Sequence, residues 1–558
     1  VREVPAPMVS DNEILVQVYY SCISAGTEIA GLKNTSAPLY KKALKNPQNI
    51  KKVLGMIKSK GLSKTIGKVK SKVESENPTG YSASGIALEV GKNIKNIKIG
   101  DRVACAGAGI ANHAEFIAVP ENLTVRIPEE LSIKSASTVT LGSIALQGVR
   151  RCNSKLGELA IVIGLGILGQ LTVQMLKLSG CRVIGIDLNQ NRINKALSFG
   201  LDIGLNPEKV DIVEEVIRNT NGYGADSVII TAASKSSHVV NQAMEMCRKK
   251  GRIVIVGDVN LNLKRDEFYK KELDLLISTS YGPGRDDERY ELKGCDYPYA
   301  YVRWTENRNM QCLLELVKDG KVNVKSLISA SFPVDEAYTA YEKIKSDEKP
   351  LAVLLSYDSS KYTGLSGKIE FGKTVKVAPR RVKGKINVAV IGAGSFAKNI
   401  LLPMIRSIPD YNLRAIVSAT GINAKQTALK YKAEYRTTDY KKVLEDENVD
   451  LVIITTRHNL HYPMIVDAAK AGKAIYVEKP MCLTEEELEK IVKAVSEKKV
   501  PLVVGFNRRY APLIVKAKKL LMQKHGPYII YYRVNAGFKP KTRWVQDPEV
   551  GGGRIIGE

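Results

Sequence analysis

The eight cysteines are scattered singly, with no CxxC pair and no closely spaced framework. In a chain this long that excludes a disulfide scaffold and points to a reducing compartment, the cytoplasm. No apolar run reaches the roughly 18–20 uncharged residues that a membrane helix needs, so no membrane span is expected. The opening VREVPAPMVSDNEILVQV lacks a starting Met and the basic and apolar regions of a signal peptide. It begins in mid-pattern, and the chain reads as a fragment of a longer protein.

Acidic residues are in deficit, with 58 Asp and Glu against 84 Lys and Arg and a net charge of +26. Part of the excess lies between Lys41 and Lys72, a stretch with no acidic residue. There Val53, Leu54, Ile57, Leu62, Ile66 and Val69 recur at helical spacing, so the lysines read as the solvated face of an amphipathic helix. No nucleic-acid-binding module accompanies the charge, and nucleic acid is not an expected partner. A positive field would instead steer a small anionic substrate such as a phosphorylated sugar or sugar nucleotide.

At roughly 100–200 residues per domain, 558 residues allow about three to five domains. Residues 1–150 hold short β-like runs, ILVQVYY, GIALEV, DRVACA and AEFIAVP, punctuated by glycine and proline and without helical periodicity. From Leu159 the pattern changes. LAIVIG, RVIGID, ADSVIITA and GRIVIVG are apolar on both faces and alternate with amphipathic helices, as in a parallel sheet covered on both sides. A polar stretch, 358–384, reads as a linker. The alternation then restarts with INVAVIG, LRAIVSA, DLVIITT, KAIYVEKP and PLVVGF. The fold class is α/β, with two doubly wound parallel sheets.

Each sheet opens with a glycine fingerprint between strand and helix. The first is Gly164-Leu165-Gly166-Ile167-Leu168-Gly169. Gly164 allows the tight turn, Gly166 lets backbone approach a pyrophosphate, and Gly169 lets helix pack on strand. The N–H groups of the helix N-terminus, Ile167 and Leu168 among them, favour phosphate. Asp187 ends the next strand, where a carboxylate accepts a ribose hydroxyl and repels a 2′-phosphate; this favours NAD over NADP. The second fingerprint is Gly392-Ala393-Gly394-Ser395-Phe396-Ala397. Its acidic position carries Ser418 and Thr420, which tolerate a 2′-phosphate, so NAD and NADP both stay open for this half.

These motifs support two resemblances. SAGTE (Ser24 to Glu28), GDRVACAG (Gly100 to Gly107), TLGSIALQGV (Thr140 to Val149) and the first fingerprint resemble the medium-chain dehydrogenase/reductase family of zinc alcohol dehydrogenases and quinone reductases. The resemblance implies a GroES-like β domain over 1–150, a Rossmann domain over 151–275, and a segment over 276–357 that returns to the β domain. Where zinc members carry ligands, this chain has Ala25-Gly26-Thr27-Glu28-Ile29-Ala30 and Gly80-Tyr81-Ser82, and the four-cysteine lobe of a structural zinc is absent. No zinc is expected. His113 has no partner at ligand spacing and reads as structural. The first half could reduce activated substrates without metal, as zinc-free quinone reductases do, or serve as a nucleotide-binding module without turnover.

From Ile386 onward the chain resembles the Gfo/Idh/MocA family, on four motifs in order: the second fingerprint; Thr455-Thr456-Arg457-His458-Asn459-Leu460-His461; Glu478-Lys479-Pro480; and WVQDPEVGGG, Trp544 to Gly553. This implies a second Rossmann domain over 385–505 and the beginning of a C-terminal α/β domain over 506–558. It implies that Thr455, Thr456 and Glu478 border the cofactor and that Lys479 takes part in the proton transfer accompanying hydride transfer. His461 is a weaker catalytic candidate or a support of the cofactor pocket. Asn507, Arg508 and Arg509 could border an anionic substrate. The family's catalytic Asp-x-x-x-His would fall at Gly557 and beyond Glu558, so little turnover is expected of this fragment. The fusion resembles a two-domain oxidoreductase type associated with surface polysaccharide and nucleotide-sugar pathways. It implies one NAD(P) per Rossmann unit, a sugar or nucleotide-sugar substrate, and a homo-oligomer at full length.

Overall fold

The computed structural model describes residues 1–24, Gly26, Glu28, 78–346, 349–358, 374–376, 384–523, Gly526, 529–535 and 537–557. The expected helix around 53–69 lies outside the described residues, as do Ala25, Thr27, Ile29 and Ala30. The chain forms two compact units, Val9–Lys368 and Ile369–Glu558, and the short segment Arg2–Met8 belongs to the second.

The first unit opens with β1 (Glu13–Ile23), β2 (Ser82–Val90), β3 (Arg102–Ala106), β4 (Phe116–Pro120) and β5 (Thr124–Arg126). Its Rossmann sheet comprises β6 (Leu159–Ile163), β7 (Arg182–Ile186), β8 (Ile203–Leu205), β9 (Ala225–Ile230), β10 (Cys247–Ile255) and β11 (Asp274–Ile277). The order is β11-β10-β9-β6-β7-β8, all pairs parallel. The chain winds outward from β6 first on one side and then on the other, leaving a crevice at the carboxyl end of β6. After β11, β12 (Ile328–Pro333) and β13 (Ala352–Ser356) join the first sheet, where β13 runs antiparallel to β1 with Cys22 opposite Leu354.

A long helix, α1 (Val139–Cys152), corrects the expectation that residues up to 150 are mostly β and the reading of its stretch as without helical periodicity. Nearly every α1 residue is buried, so no polar face marks a helical period in the sequence. Two of its glycines replace side chains that would not fit. A Cβ on Gly142 would stand 2.2 Å from Leu313, and one on Gly148 2.7 Å from Val256. Close packing there seats α1 against β10 and against the helix Glu306–Lys318.

In the second unit, β14 (Thr374–Lys376), β15 (Ile386–Ile391), β16 (Tyr411–Val417), β17 (Tyr435–Thr437), β18 (Leu451–Ile454), β19 (Ala474–Val477) and β20 (Leu502–Val504) form one sheet, ordered β14-β17-β16-β15-β18-β19-β20. All pairs are parallel except β14–β17. β14 lies inside the stretch read as a linker; its Thr374-Val375-Lys376 run has the β-branched content of an edge strand. The first residues also depart from the expected β domain. Met8 N–H donates to Ala419 O (3.2 Å), Thr438 Oγ1 donates to Ala6 O (2.6 Å), and Gly421 lies so close to Pro5 that a Cβ would meet its carbonyl at 1.8 Å.

Candidate cofactor and catalytic sites

Both glycine turns sit at the carboxyl end of the central strand of their sheet, and the glycines divide into two kinds. Gly164 has φ +95° and Gly392 has φ +102°, the left-handed region that favours glycine. A Cβ on Gly164 would lie 2.7 Å from Ala232 N, and one on Gly392 2.7 Å from the Thr455 carbonyl carbon. On Gly169 it would stand 1.9 Å from Gly164 O. Ala397, in the corresponding place of the second turn, is fully buried. By contrast a Cβ on Gly166 or Gly394 meets nothing within 4 Å among the described residues. The outer four positions close the turn on its own sheet and helix; the middle glycine faces open space, which is what close approach of a pyrophosphate requires. The residues present therefore fit a dinucleotide in both units.

The turns share a second fastening that the fingerprints alone do not reveal. Thr231 Oγ1, just past β9, donates to Gly164 O (2.5 Å), and Thr455 Oγ1, just past β18, donates to Gly392 O (2.5 Å). In each sheet the strand beside the central one thus pins the first glycine peptide. The side chains of Ile167 and Leu168 pack on a small apolar cluster containing Cys22, Leu141 and Leu354, which leaves their backbone N–H groups at the helix start (α2, Ile167–Leu178) for an anion. Ser395 and Phe396 are exposed at the corresponding place. The helix there begins with a π turn over Ala397–Leu401.

Asp187 stands directly behind the first turn. Its Oδ2 accepts Leu165 N–H (2.7 Å), its Oδ1 accepts Asn189 N–H (2.8 Å), and Arg192 Nη1 lies 3.9 Å away. The carboxylate is fixed by backbone on both oxygens. In the second unit an amide holds the equivalent ground: Asn423 Nδ2 donates to Ser418 Oγ (2.7 Å) and to Ala393 O (3.1 Å), and its Oδ1 accepts the Lys398 ammonium.

Lys479 lies two residues beyond β19. Ile391 is paired with Ile454 and Ile454 with Val477, so the lysine and the second glycine turn leave the same sheet edge two strands apart, about 10 Å at the usual strand spacing. The Lys479 ammonium donates to Gly557 O, and the Lys479–Pro480 peptide is cis. His461, at the start of α3 (His461–Lys470), is fully buried. Its Nδ1 lies 2.7 Å from Pro480 O and its Nε2 3.3 Å from Thr456 O. Both nitrogens face backbone carbonyls, one in the loop that carries Lys479 and one at Thr456. Burial pushes its pKa down, against those two contacts. His458 Nδ1 contacts Gly551 O (2.8 Å), and its ring meets the Trp544 ring edge-on at 4.8 Å, so the glycine triplet closes over the motif that follows β18. Glu478 Oε1 accepts the Tyr476 hydroxyl (2.8 Å), whose second contact is Asn507 Oδ1 (3.3 Å); Arg508 and Arg509 sit in an exposed turn just beyond.

His113 is held in a buried chain: Nδ1 to Ser21 Oγ (2.7 Å), Nε2 to Glu28 Oε2 (3.0 Å), and its ring against Gly80. Burial would raise the Glu28 pKa, but the His113 hydrogen bond and charge, the Tyr341 hydroxyl and Ser24 N–H outweigh it and hold the carboxyl below its ordinary value. Among the described residues, no group of three or more His, Cys, Asp or Glu stands together as a metal site, and no helix is long and apolar enough to cross a membrane.

Residues 168–293 match the family model described as zinc-binding dehydrogenase, and residues 386–506 match that of the oxidoreductase family with an NAD-binding Rossmann fold, Gfo/Idh/MocA. The two matches fall in different units of the chain. The chain is an NAD(P)-dependent oxidoreductase. Among curated proteins, sorbitol dehydrogenase from Halalkalibacterium halodurans is 25% identical over 311 residues, 50% of this chain and 83% of its own length. D-guloside 3-dehydrogenase from Shigella flexneri is 27% identical over 256 residues, 45% of this chain and 68% of its own. Of the solved structures, alcohol dehydrogenase TADH from Thermus sp. ATN1 is 20% identical, covering 64% of this chain and 95% of that one with a TM-score of 0.49.

Proposed function

We propose that this oxidoreductase transfers hydride between NAD(P) and a carbinol or ketone carbon of a sugar or nucleotide-sugar, with Lys479 moving the accompanying proton. The observation that carries the reading is the place of Lys479, at the carboxyl edge of the second sheet two strands from a glycine turn built for pyrophosphate. The sugar is supported by the relatives, a sorbitol and a guloside dehydrogenase. The tie to surface polysaccharide rests on the resemblance of the fusion.

When bound, the nicotinamide supplies or takes up hydride. The chain's own residues do the rest. Backbone N–H groups at Gly166 to Leu168 and Gly394 to Phe396 hold the pyrophosphate, and Asp187 accepts from a ribose hydroxyl. Lys479 takes the hydroxyl proton in oxidation and returns it to the alkoxide in reduction. His461 keeps the Pro480 and Thr456 carbonyls, and with them the lysine's peptide, in place.

Zinc does not fit the first unit on its residues: in sequence, Ala25, Ala30, Tyr81 and Ser82 occupy the positions where zinc members of the resembled family carry ligands, and Glu28 and His113 are bonded to each other. No step is assigned to a metal. The test is NAD(P)H formation by the full chain over a panel of sugar alcohols and nucleotide-sugars. Lys479→Ala should lower turnover about 10²–10⁴-fold while dinucleotide affinity stays near wild type. Equal loss of both would refute the role.

A further inference from the structure

We propose that the two sites take different dinucleotides, the first NAD(H) and the second the 2′-phosphorylated NADP(H), the 2′-phosphate being received by Lys398 and Ser418, which Asn423 holds together. The proposal deepens the reading above and rests on it. The two units solve one local problem with opposite polarity. Behind each glycine turn, a side chain must satisfy the peptide between the first two glycines. In the first unit that side chain is a carboxylate: Asp187 accepts Leu165 N–H at 2.7 Å and Asn189 N–H at 2.8 Å. Both oxygens are tied to backbone, so the negative charge cannot swing away from an approaching phosphate.

In the second unit the partner is the carbonyl, not the N–H. Asn423, on α4 (Gly421–Tyr431, which precedes His461–Lys470 in the chain), donates to Ala393 O at 3.1 Å and to Ser418 Oγ at 2.7 Å. The same amide accepts from the Lys398 ammonium, so one small group gathers a hydroxyl and a cation at the end of β16, where the adenosine ribose of a Rossmann dinucleotide lies. Lys398 is held from behind as well, because the Tyr431 hydroxyl donates to its carbonyl. The neighbouring charge acting on Lys398 is a second cation, Lys430. Partial burial, and after it the charge of Lys430, holds the Lys398 ammonium below its ordinary pKa. A half-buried cation next to another cation is a site that a phosphate dianion would relieve. Ser418 in place of a carboxylate removes the repulsion that Asp187 imposes in the other unit.

The test is titration of NADH and NADPH, separately and together, into the full chain, followed by calorimetry. The expected result is one tight NADH and one tight NADPH per chain, bound at the same time. 2′,5′-ADP should displace NADPH but not NADH. Lys398→Ala should weaken NADPH on the order of 10–100-fold, the range of one or two charge-assisted hydrogen bonds, with NADH binding unchanged. Lys398→Arg should retain NADPH affinity, which separates loss of the cation from misfolding. If NADH and NADPH compete for the second site with equal affinity, or if Lys398→Ala weakens both alike, this proposal is overturned while the oxidoreductase reading stands. If the second unit binds neither, both fall.

Discussion

Substituting Gly166 by alanine separates dinucleotide binding from folding. The residue has φ −66° and ψ −170°, backbone that alanine adopts freely, and an added Cβ meets nothing within 4 Å among the described residues. Removing the glycine's freedom from the unfolded chain should leave the unliganded melting temperature unchanged or raise stability by about 0.4–1 kcal/mol. In the wild type, NADH at 100 times its Kd adds about 2.7 kcal/mol, or roughly 5–10 °C at 2–4 °C per kcal/mol. The new methyl occupies the face where the pyrophosphate must touch backbone. If that costs 10–100-fold in affinity, the same NADH concentration adds only about 0.4–1.4 kcal/mol. The assay is a thermal melt with and without NADH, beside NADH fluorescence titration. Gly169→Ala is the contrasting control: its Cβ would stand 1.9 Å from Gly164 O, so its melting temperature should fall without ligand, by the roughly 1–3 kcal/mol of an overpacked site or more. A Gly166→Ala protein that keeps the full NADH shift, or that melts early without ligand, would refute the division between closing and cradling glycines.

His458 and His461 are both depressed in pKa by burial. A histidine depressed on folding stabilises fully above its unfolded value of about 6.5 and loses that contribution as pH falls through the folded pKa. Melting of the second unit should therefore drop between pH 7 and 5, and His461→Asn should flatten the slope; a slope unchanged in the variant would exclude His461 as its source. Glu306 is the converse case. It is fully buried, neither carboxyl oxygen has a hydrogen-bond partner among the described residues, and burial followed by the Glu291 charge raises its pKa to about 9. Its protonated form is native, so stability is lost as pH rises from 4.5 toward 9; Glu306→Gln should be the more stable protein at pH 8, by an amount that shrinks toward pH 5. Thr231→Val and Thr455→Val should each weaken dinucleotide binding in one unit alone, read by titration at the two sites; a loss at both sites from either variant would count against the local pinning of Gly164 and Gly392.

The parallel sheets were legible because their strands are apolar on both faces and their helices are not, and the fingerprints because a turn this tight leaves only glycine. α1 was illegible for the opposite reason, since a helix buried on every side has no period to read. Asp187 could be found by its distance from Gly164. Asn423 could not: it does the corresponding work from the next helix, and no residue type or spacing near the fingerprint announces it. Thr231 and Thr455 escaped notice as a pair because their common role appears only when two neighbouring strands are laid side by side. The two carbonyl contacts of His461 depend on the path of the loop after β19, which the motif does not encode.

The attachment of Arg2–Met8 to the second unit makes that unit discontinuous, with Val9–Lys368 inserted into it. During synthesis, the segment emerges before the inserted unit and finds its seat, Ala419 to Thr438, only after some 400 more residues have been made, on the order of 20–90 s later at about 5–20 residues per second. The inserted unit, complete in its own sheets, has that interval to fold while the strap waits unpaired. Closure of the second unit then becomes the last event to which both ends of the inserted unit contribute, and a defect in the first unit's folding would be felt as delayed assembly of the second.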